Sequence, residues 1–402
     1  MLSPPTWILI GLTLVSFVFY ALGTWAALKH TSSVPFVVPE AELPPVSLLK
    51  PIKGVEDALE DNLRSFFEQE YPAPIEIIFA SAEPDDPGIA VARRVAADYP
   101  HVETRFTISD RTFGLNPKVS NLAAAYAAAR HDLVLQSDAN VRVRRDYLRR
   151  TVSELIANRA DMLTSIVVGV GERTIGAAME NLQLSAFIVP AVCLALRLAR
   201  ITVVIGKTML FRRSDLDALG GLARYKDVLA EDYMIGVHYA RANKRIVLST
   251  TPAENVNVDT TVERFMSRHV RWLKMRVVVH VPGFVADLLA NPVAIGVFAV
   301  VASGLDPRVV AGFIALVIVK AWRDATIVRR TRGAPMKLRH IAIAPLKDIV
   351  MGAIWPYAAV SRSVEWRGAR LRLGRDSKLS PDDLVLVPSL LRLPVRLLRR
   401  IR

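Results

Sequence analysis

The sequence predicts an α/β fold: a mostly parallel sheet in one globular domain, with an N-terminal transmembrane helix before it and membrane-associated helices after it. Three observations predict it. From Val46 to about residue 282, apolar runs of strand length alternate with stretches of helical periodicity, the rhythm of a parallel sheet with helices on both faces. Trp7 to Leu28 contains no charged residue, and apolar segments return after Gly283. A mean hydropathy of +0.30, with 52% hydrophobic residues among 402, points to membrane-embedded parts and excludes a disordered chain. The one cysteine, Cys193, excludes an intramolecular disulfide framework and a cysteine-cluster zinc site.

In chain order, Trp7–Leu28 reaches about 33 Å as a helix, enough to cross a bilayer core. No basic residue precedes it, so residues 1–28 read as an anchor rather than a cleaved leader. Residues 29–45, with Pro35, Pro39, Pro44 and Pro45, read as a linker. In the 46–282 domain, Val46–Lys50, Ile75–Ala80 and Leu133–Gln136 read as buried strands, and residues 55–69, 88–98 and 118–130 as helices. Ligands of such sheets sit at the carboxyl ends of the strands. Leu182 to Leu196 is apolar or neutral for fifteen residues, and a core helix and an interfacial helix that admits a lipid weigh equally there.

Residues 283–402 read as a membrane hairpin, interfacial helices and a basic tail. Leu288–Leu305 and Val309–Trp322 flank Asp306-Pro307-Arg308, as a hairpin or re-entrant pair would. Residues 323–340 hold six basic residues and one acidic residue, which places them on the cytoplasmic side by the positive-inside rule. Ile341–Val360 is a further apolar stretch, interrupted by Lys347, Asp348 and Pro356, and the basic segments on both sides of it, both placed inside, give it an expected in-plane or re-entrant course. Leu391–Arg402 reads as an interfacial anchor. The 52 basic and 38 acidic residues give a net charge of +14, and residues 361–402 alone supply eleven basic and four acidic residues. A basic tail on a hydrophobic chain suits anionic membrane lipid, and no nucleic-acid motif accompanies it. Lys29 and the basic C-terminal half place the globular domain in the cytoplasm. The 40 arginines against 12 lysines suit a GC-rich, bacterial coding sequence and hence a bacterial inner membrane. Oligomeric state has no signature.

Four constellations can carry chemistry. Glu83-Pro-Asp-Asp86-Pro-Gly88 follows a strand and can turn the chain and cap a helix, or reach a nucleotide. Asp138, in Ser137-Asp-Ala-Asn140, follows another strand and can cap a helix or hold a divalent cation. Ala230-Glu-Asp-Tyr233 can be a solvated helix start or carry a general base. Arg268-His-Val-Arg-Trp272 puts two guanidinium groups on one helical face, to snorkel beside a membrane or to clamp phosphate.

Their order resembles the membrane-bound inverting glycosyltransferases with a D, D, D, (Q/R)xxRW pattern, and among them the ceramide glucosyltransferase family. The resemblance rests on Leu48-Leu-Lys-Pro-Ile-Lys-Gly54, Asn62-Leu63, Phe66-Phe67, Tyr71-Pro72, Asp85-Asp86-Pro87 and Gly114-Leu-Asn-Pro-Lys-Val-Ser-Asn-Leu122. It continues through Ser137–Val143, Gly206-Lys-Thr-Met209, Gly220-Gly221, Leu229–Tyr233, Arg268–Trp272, Glu365-Trp-Arg-Gly368 and Leu371-Arg-Leu373. The resemblance implies a GT-A-like nucleotide-sugar-binding domain acting in glycolipid biosynthesis and sphingolipid metabolism. Asp86 matches the first aspartate, near the nucleotide, with Asp85 and Glu83 as rivals. Asp138 matches the second, near metal and diphosphate, and Lys118 joins it on the donor side. Asp232 matches the third, the general base. Arg268, Arg271 and Trp272 would hold the diphosphate and shape the acceptor site. Asn140 stands where the wider pattern has a second metal-binding aspartate, so Mg²⁺ or Mn²⁺ would be held by Asp138 with Asn140 as a weaker oxygen ligand.

The implied reaction moves glucose from UDP-glucose to the primary hydroxyl of ceramide or a similar membrane lipid, with inversion. Two alternatives stay open: another UDP-sugar or another acceptor such as a hopanoid polyol, and a non-catalytic membrane binding protein. A processive polysaccharide synthase fits poorly, because a pore needs more spans.

Overall fold

A computed structural model of the chain describes residues 2–33, 37–110, 112–366 and 369–382. The anchor is helix α1 (Pro4–Thr31), with proline in its first turn and Lys29 and His30 in its last, the placements that helix ends favour. Then follow β1 (Val46–Pro51), α2 (Leu59–Phe67), β2 (Ile75–Ser81), α3 (Pro87–Ala97), β3 (Glu103–Ile108), α4 (Pro117–Ala128) and β4 (Leu133–Ser137). Apart from β3, which is not among the strands read from the sequence, these strands and helices lie within a few residues of where periodicity places them. Next come β5 (Val141–Arg142), α5 (Tyr147–Ala157) and β6 (Met162–Val170). Helices α6 (Ile175–Leu182) and α7 (Val189–Leu194) run on through π-helical turns at Gln183–Ile188 and Ala195–Ala199. The domain closes with β7 (Thr208–Arg212), α8 (Arg213–Ala218), α9 (Glu231–Arg241), β8 (Ile246–Val256) and α10 (Val262–Val279).

The sheet order is β3-β2-β1-β4-β7-β6-β8-β5. The pairs β3–β2, β2–β1, β1–β4 and β6–β8 are parallel, while β7 runs antiparallel to both its neighbours and β5 to β8. The β1 register shows why the strands read as unbroken apolar runs. Val46 and Leu48 pack with Ile77, Phe79, Leu133 and Leu135 under α2, α3 and α5. The alternate residue Leu49 packs with Ile78, Val134, Met209 and Phe211 under α4 and α9. Both faces are covered, so both strand faces must be apolar.

Four further helices and a short turn of helix follow: α11 (Val281–Leu289), α12 (Pro292–Ala302), α13 (Pro307–Arg332), α14 (Leu338–Ile341) and α15 (Ala344–Val360). Among the described residues three helices, Pro4–Thr31, Ile175–Ala199 and Leu338–Val360, are long and apolar enough to cross a membrane. A fourth candidate is the pair α11 and α12, bent by 57° at a short break. The break sits at Asn291, whose side chain caps α12 by accepting from Ala294 N–H. The chain around Asp306 is a hairpin, with α13 running on to Arg332.

Ile341–Val360 differs from the interrupted segment expected. Lys347 and Asp348 do not break it, because they are buried in an ionic cluster. Lys347 Nζ lies 2.6 Å from Asp348, Lys320 Nζ lies 2.8 Å from Asp348 and 2.7 Å from Asp324, and Tyr20 donates to Asp324 at 2.7 Å. Pro356 is accommodated inside α15.

The helices are welded to the sheet. Ala26 and Ala27 of α1, Cys193 and its neighbours on α7, and Ile327 and Val328 of α13 share one apolar cluster with Ile166, Val168 and Leu248 of β6 and β8. The Leu182–Leu196 stretch is therefore a core helix with no exposed residue, and exposure begins two residues beyond it, at Leu198. The first part of the tail forms strands not expected from the sequence: β9 (Ser363–Trp366), β10 (Ala369–Leu373) and β11 (Leu379–Pro381) make an antiparallel sheet that returns to the α/β domain. The anchor expected at Leu391–Arg402 lies outside the described residues.

Candidate active site

Five chain segments meet at the carboxyl ends of β1 and β4. Asn116 caps α4 by accepting from Lys118 N–H and Val119 N–H, which points Lys118 across the top of the sheet. Lys118 Nζ lies 3.0 Å from Asp138, 2.9 Å from Glu231 and 3.4 Å from the Gly206 carbonyl. Lys207, just before β7, places its ammonium 3.0 Å from the other oxygen of Asp138 and donates to Asn140 Oδ1 at 2.8 Å. Lys50, inside β1, donates to Ser137 Oγ at 3.0 Å and to the Asp138 carbonyl at 3.1 Å. Asp232 accepts from Gly206 N–H at 2.6 Å, one residue from Lys207. The approach is tight, since a Cβ on Gly206 would meet Asp232 Oδ2 at 2.6 Å.

Burial works against the Asp138 charge, but Lys118 and Lys207 outweigh it and hold the carboxyl well below its usual range. Burial also opposes the Lys118 charge, and Asp138, Glu231 and Asp232 overcome it and raise its pKa. Burial depresses Lys50 well below a normal lysine, with Asp138 only partly offsetting it. Glu231 is raised, by burial first, against the pull of Lys118. Three lysines thus gather around one aspartate beside an acid pair, and a substrate anion could take up the lysine contacts that the carboxylates now make.

The structure brings Lys118, Asp138, Asn140 and Asp232 together. It places the other expected residues around them. Asp86 caps α3: its carboxylate accepts from Gly88 N–H at 2.8 Å and from Gly54 N–H at 2.9 Å. It thereby fixes the loop that leaves β1 after Lys50, which is the capping role joined to a brace across the mouth of the site. Glu83 and Asp85 are exposed. Arg268 lies in a second cluster, 3.1 Å from Glu180 and donating to Asn257 Oδ1 at 3.2 Å. That cluster joins the first through Val256, whose N–H donates to the Asn140 carbonyl. His269 Nε2 is 3.3 Å from Glu180, and its ring meets Trp272 edge-on at 5.0 Å. Arg271 is half-buried on the same helix.

Sequence reasoning quoted Lys50 and Lys207 within family motifs without giving them a role, and passed over Glu180. Each had a signal: a lysine closing an apolar strand, a lysine directly before another, and a glutamate in a helix otherwise apolar enough to span a membrane.

Among the described residues no group of three or more His, Cys, Asp or Glu side chains could hold a metal ion. The donors that are present suit a cation shared with a substrate diphosphate, which needs only one or two protein oxygens. Asp138 and Asn140 already converge on one positive charge, the Lys207 ammonium.

A family model described as glycosyl transferase family 21 matches residues 8–379. Ceramide glucosyltransferase 1 of Caenorhabditis elegans is 29% identical over 280 residues, covering 67% of this chain and 57% of that protein. Ceramide glucosyltransferase of Komagataella phaffii is 37% identical over 153 residues, covering 37% of this chain and 29% of that protein. The chain thus spans from under a third to somewhat over half the length of these relatives. A mannosyltransferase from Pyrobaculum calidifontis, solved with GDP-mannose and Mn²⁺, superposes with a TM-score of 0.51 at 20% identity, covering 88% of this chain and 97% of that one. That likeness establishes a GT-A-like glycosyltransferase fold.

Proposed function

The chain belongs to glycosyl transferase family 21, and we propose that it transfers a sugar, glucose by default, from a UDP-sugar to the primary hydroxyl of a membrane lipid such as ceramide, with inversion. One observation carries the reading. Asp232 sits one residue from the lysine cluster, bonded to Gly206 N–H beside Lys207. A base and a polyanion site this close are what a single displacement needs.

In this reading Asp232 takes the proton from the lipid hydroxyl. The oxygen forms its bond to the anomeric carbon as the bond from that carbon to the diphosphate oxygen breaks, and the electron pair leaves with UDP. Lys118 and Lys207, with Arg268 and Arg271 on α10, meet the charge that develops on the diphosphate. One base without a covalent nucleophile gives a β-glycoside from an α-linked donor. Asp86 keeps the β1 loop in place on the nucleotide side, and Trp272 borders the acceptor. Asp138 and Asn140 would hold Mg²⁺ or Mn²⁺; bound there, the ion would neutralise diphosphate oxygens. In the same reading the chain sits in a membrane with its α/β domain in the cytoplasm and the basic residues of α13 and the tail against anionic lipid; the candidate spans and the basic composition support this.

The test is sugar transfer from labelled UDP-glucose to a lipid panel, by detergent-purified protein, with Mg²⁺, Mn²⁺ or EDTA. Glucosylated ceramide that disappears with EDTA is expected. Asp232→Asn should lose turnover by at least a hundredfold and keep UDP binding. An active Asp232→Asn enzyme removes the base assignment. Transfer from another donor, or to another alcohol only, moves the specificity. No UDP release with any acceptor sinks the enzyme reading.

A further inference from the structure

The acid pair opens α9 on an N-cap that cannot cap. Ala230 holds the N-cap position and offers no side-chain acceptor. The N–H of Ala230 itself is met from 147 residues further on. Ser377 Oγ accepts from Ala230 N–H at 3.0 Å, and the Ser377 carbonyl accepts from Leu229 N–H at 3.0 Å. A side chain that bonds the N–H of an N-cap residue is half of a capping box, here supplied from outside the helix.

The contact is built, not incidental. Ser377 is fully buried. It and Asp376 hold left-handed backbone at φ +55° and +53°, a conformation that costs non-glycine residues energy and persists only where the surroundings enforce it. Lys378 bridges Val228, and Leu379 N–H donates to the Asp227 carbonyl at 2.7 Å. Leu229 is buried in one apolar cluster with Val364, Leu371, Leu373 and Leu379 of the small sheet. From the opposite side Asn116, which aims Lys118, donates to the Val228 carbonyl at 2.6 Å. The segment 226–230 is therefore held between the loop that carries Lys118 and the C-terminal sheet. Lys274 Nζ donates to the Ser363 carbonyl at 2.7 Å, so the same sheet also grips the helix of Arg268 and Arg271.

We propose that Ser377 is a positioning residue for catalysis, completing the cap of α9 from the C-terminal sheet so that Asp232 meets the acceptor hydroxyl beside the lysine cluster. This rests on the reading of Asp232 as the base. Ser377 touches no reacting atom. Its effect is geometric, and small displacements of a base cost large factors in rate.

Two variants test it in the full-length, detergent-purified chain. Ser377→Ala removes the acceptor oxygen. Ser377→Gly removes it and also frees the left-handed backbone, so it folds without strain. Both should lower kcat roughly tenfold or more, with the KM for the UDP-sugar and the Kd for UDP within about twofold of wild type. Both should also speed amide hydrogen exchange in a peptide spanning residues 226–233, a readout that needs no turnover. Full kcat in either variant, or unchanged exchange in both, overturns the proposal. So does UDP affinity falling in step with kcat, because that is general structural loss. An active Asp232→Asn enzyme, assayed alongside, would sink the base reading instead, and the exchange result would still report whether Ser377 holds the loop.

Discussion

Asp138 is the residue on which the site's charge turns. Its two oxygens face Lys118 and Lys207, and its backbone carbonyl faces Lys50. A carboxyl held below its unfolded pKa adds stability that is fully present above that unfolded value and is lost as pH falls through the folded one. The unfolded value is 3.8. Wild type should therefore be more stable than Asp138→Asn near neutral pH, by about 1.4 kcal/mol for each pKa unit of depression. The gap should close as pH falls below 3.8. Glu231, raised instead, works in the opposite sense, and because it shares Lys118 with Asp138 the two are not additive, so the comparison is made in a Glu231→Gln background. Thermal unfolding of the two proteins across the acid range checks this, and a pH-independent gap would mean that Asp138 carries no such depression. Asp138 itself was legible from its place after a buried strand. Of its partners, Lys118 was named through the family resemblance, while Lys50 and Lys207 were not, because they come from separate segments and only the sheet order makes them neighbours of Asp138.

At the scale of elements, α13 and α15 show how charge can sit inside an apolar bundle. Lys320, Asp324, Lys347 and Asp348 are all buried. Two cations and two anions leave no net charge, and Lys347 also reaches Gln183 on the α6–α7 helix at 2.9 Å. Removing one partner strands another in a medium that cannot solvate it. Asp348→Asn should destabilise the chain by about 3–5 kcal/mol, read as a lowered midpoint of thermal unfolding in detergent. The double change Lys347→Met with Asp348→Leu removes a cation and an anion together and should cost less. Equal losses would mean that the pairing itself contributes nothing. Sequence periodicity found these helices, yet it took Lys347 and Asp348 for breaks, because a pattern in one segment cannot reveal a counter-ion on another. The three-stranded sheet after α15 was missed for a related reason. Its strands are short and rich in arginine, and their apolar positions matter only against Leu229 and α10.

At the scale of the whole molecule, the α/β domain and the membrane helices share one core, and this sets what α1 does. A tether could be altered without consequence for the domain it holds. Here Ala26 and Ala27 are fully buried in the cluster that includes Ile166, Val168 and Leu248 of the sheet, and the His30 ring bonds the Ser249 carbonyl at 3.2 Å. The anchor was legible as twenty-two uncharged residues, Trp7 to Leu28, but its small residues at the sheet side were not legible as a packing face, because alanine is equally at home facing lipid or protein. Overfilling such a contact strains a close-packed interior by about 1–3 kcal/mol. Ala27→Leu should therefore lower the midpoint of thermal unfolding of the α/β domain, although the substitution adds apolar surface to a membrane helix. Leu14→Ala, at an exposed position on the same helix, should leave the midpoint near wild type. If the two changes behave alike, α1 is a tether, and the order of the active site owes nothing to the bundle beneath it.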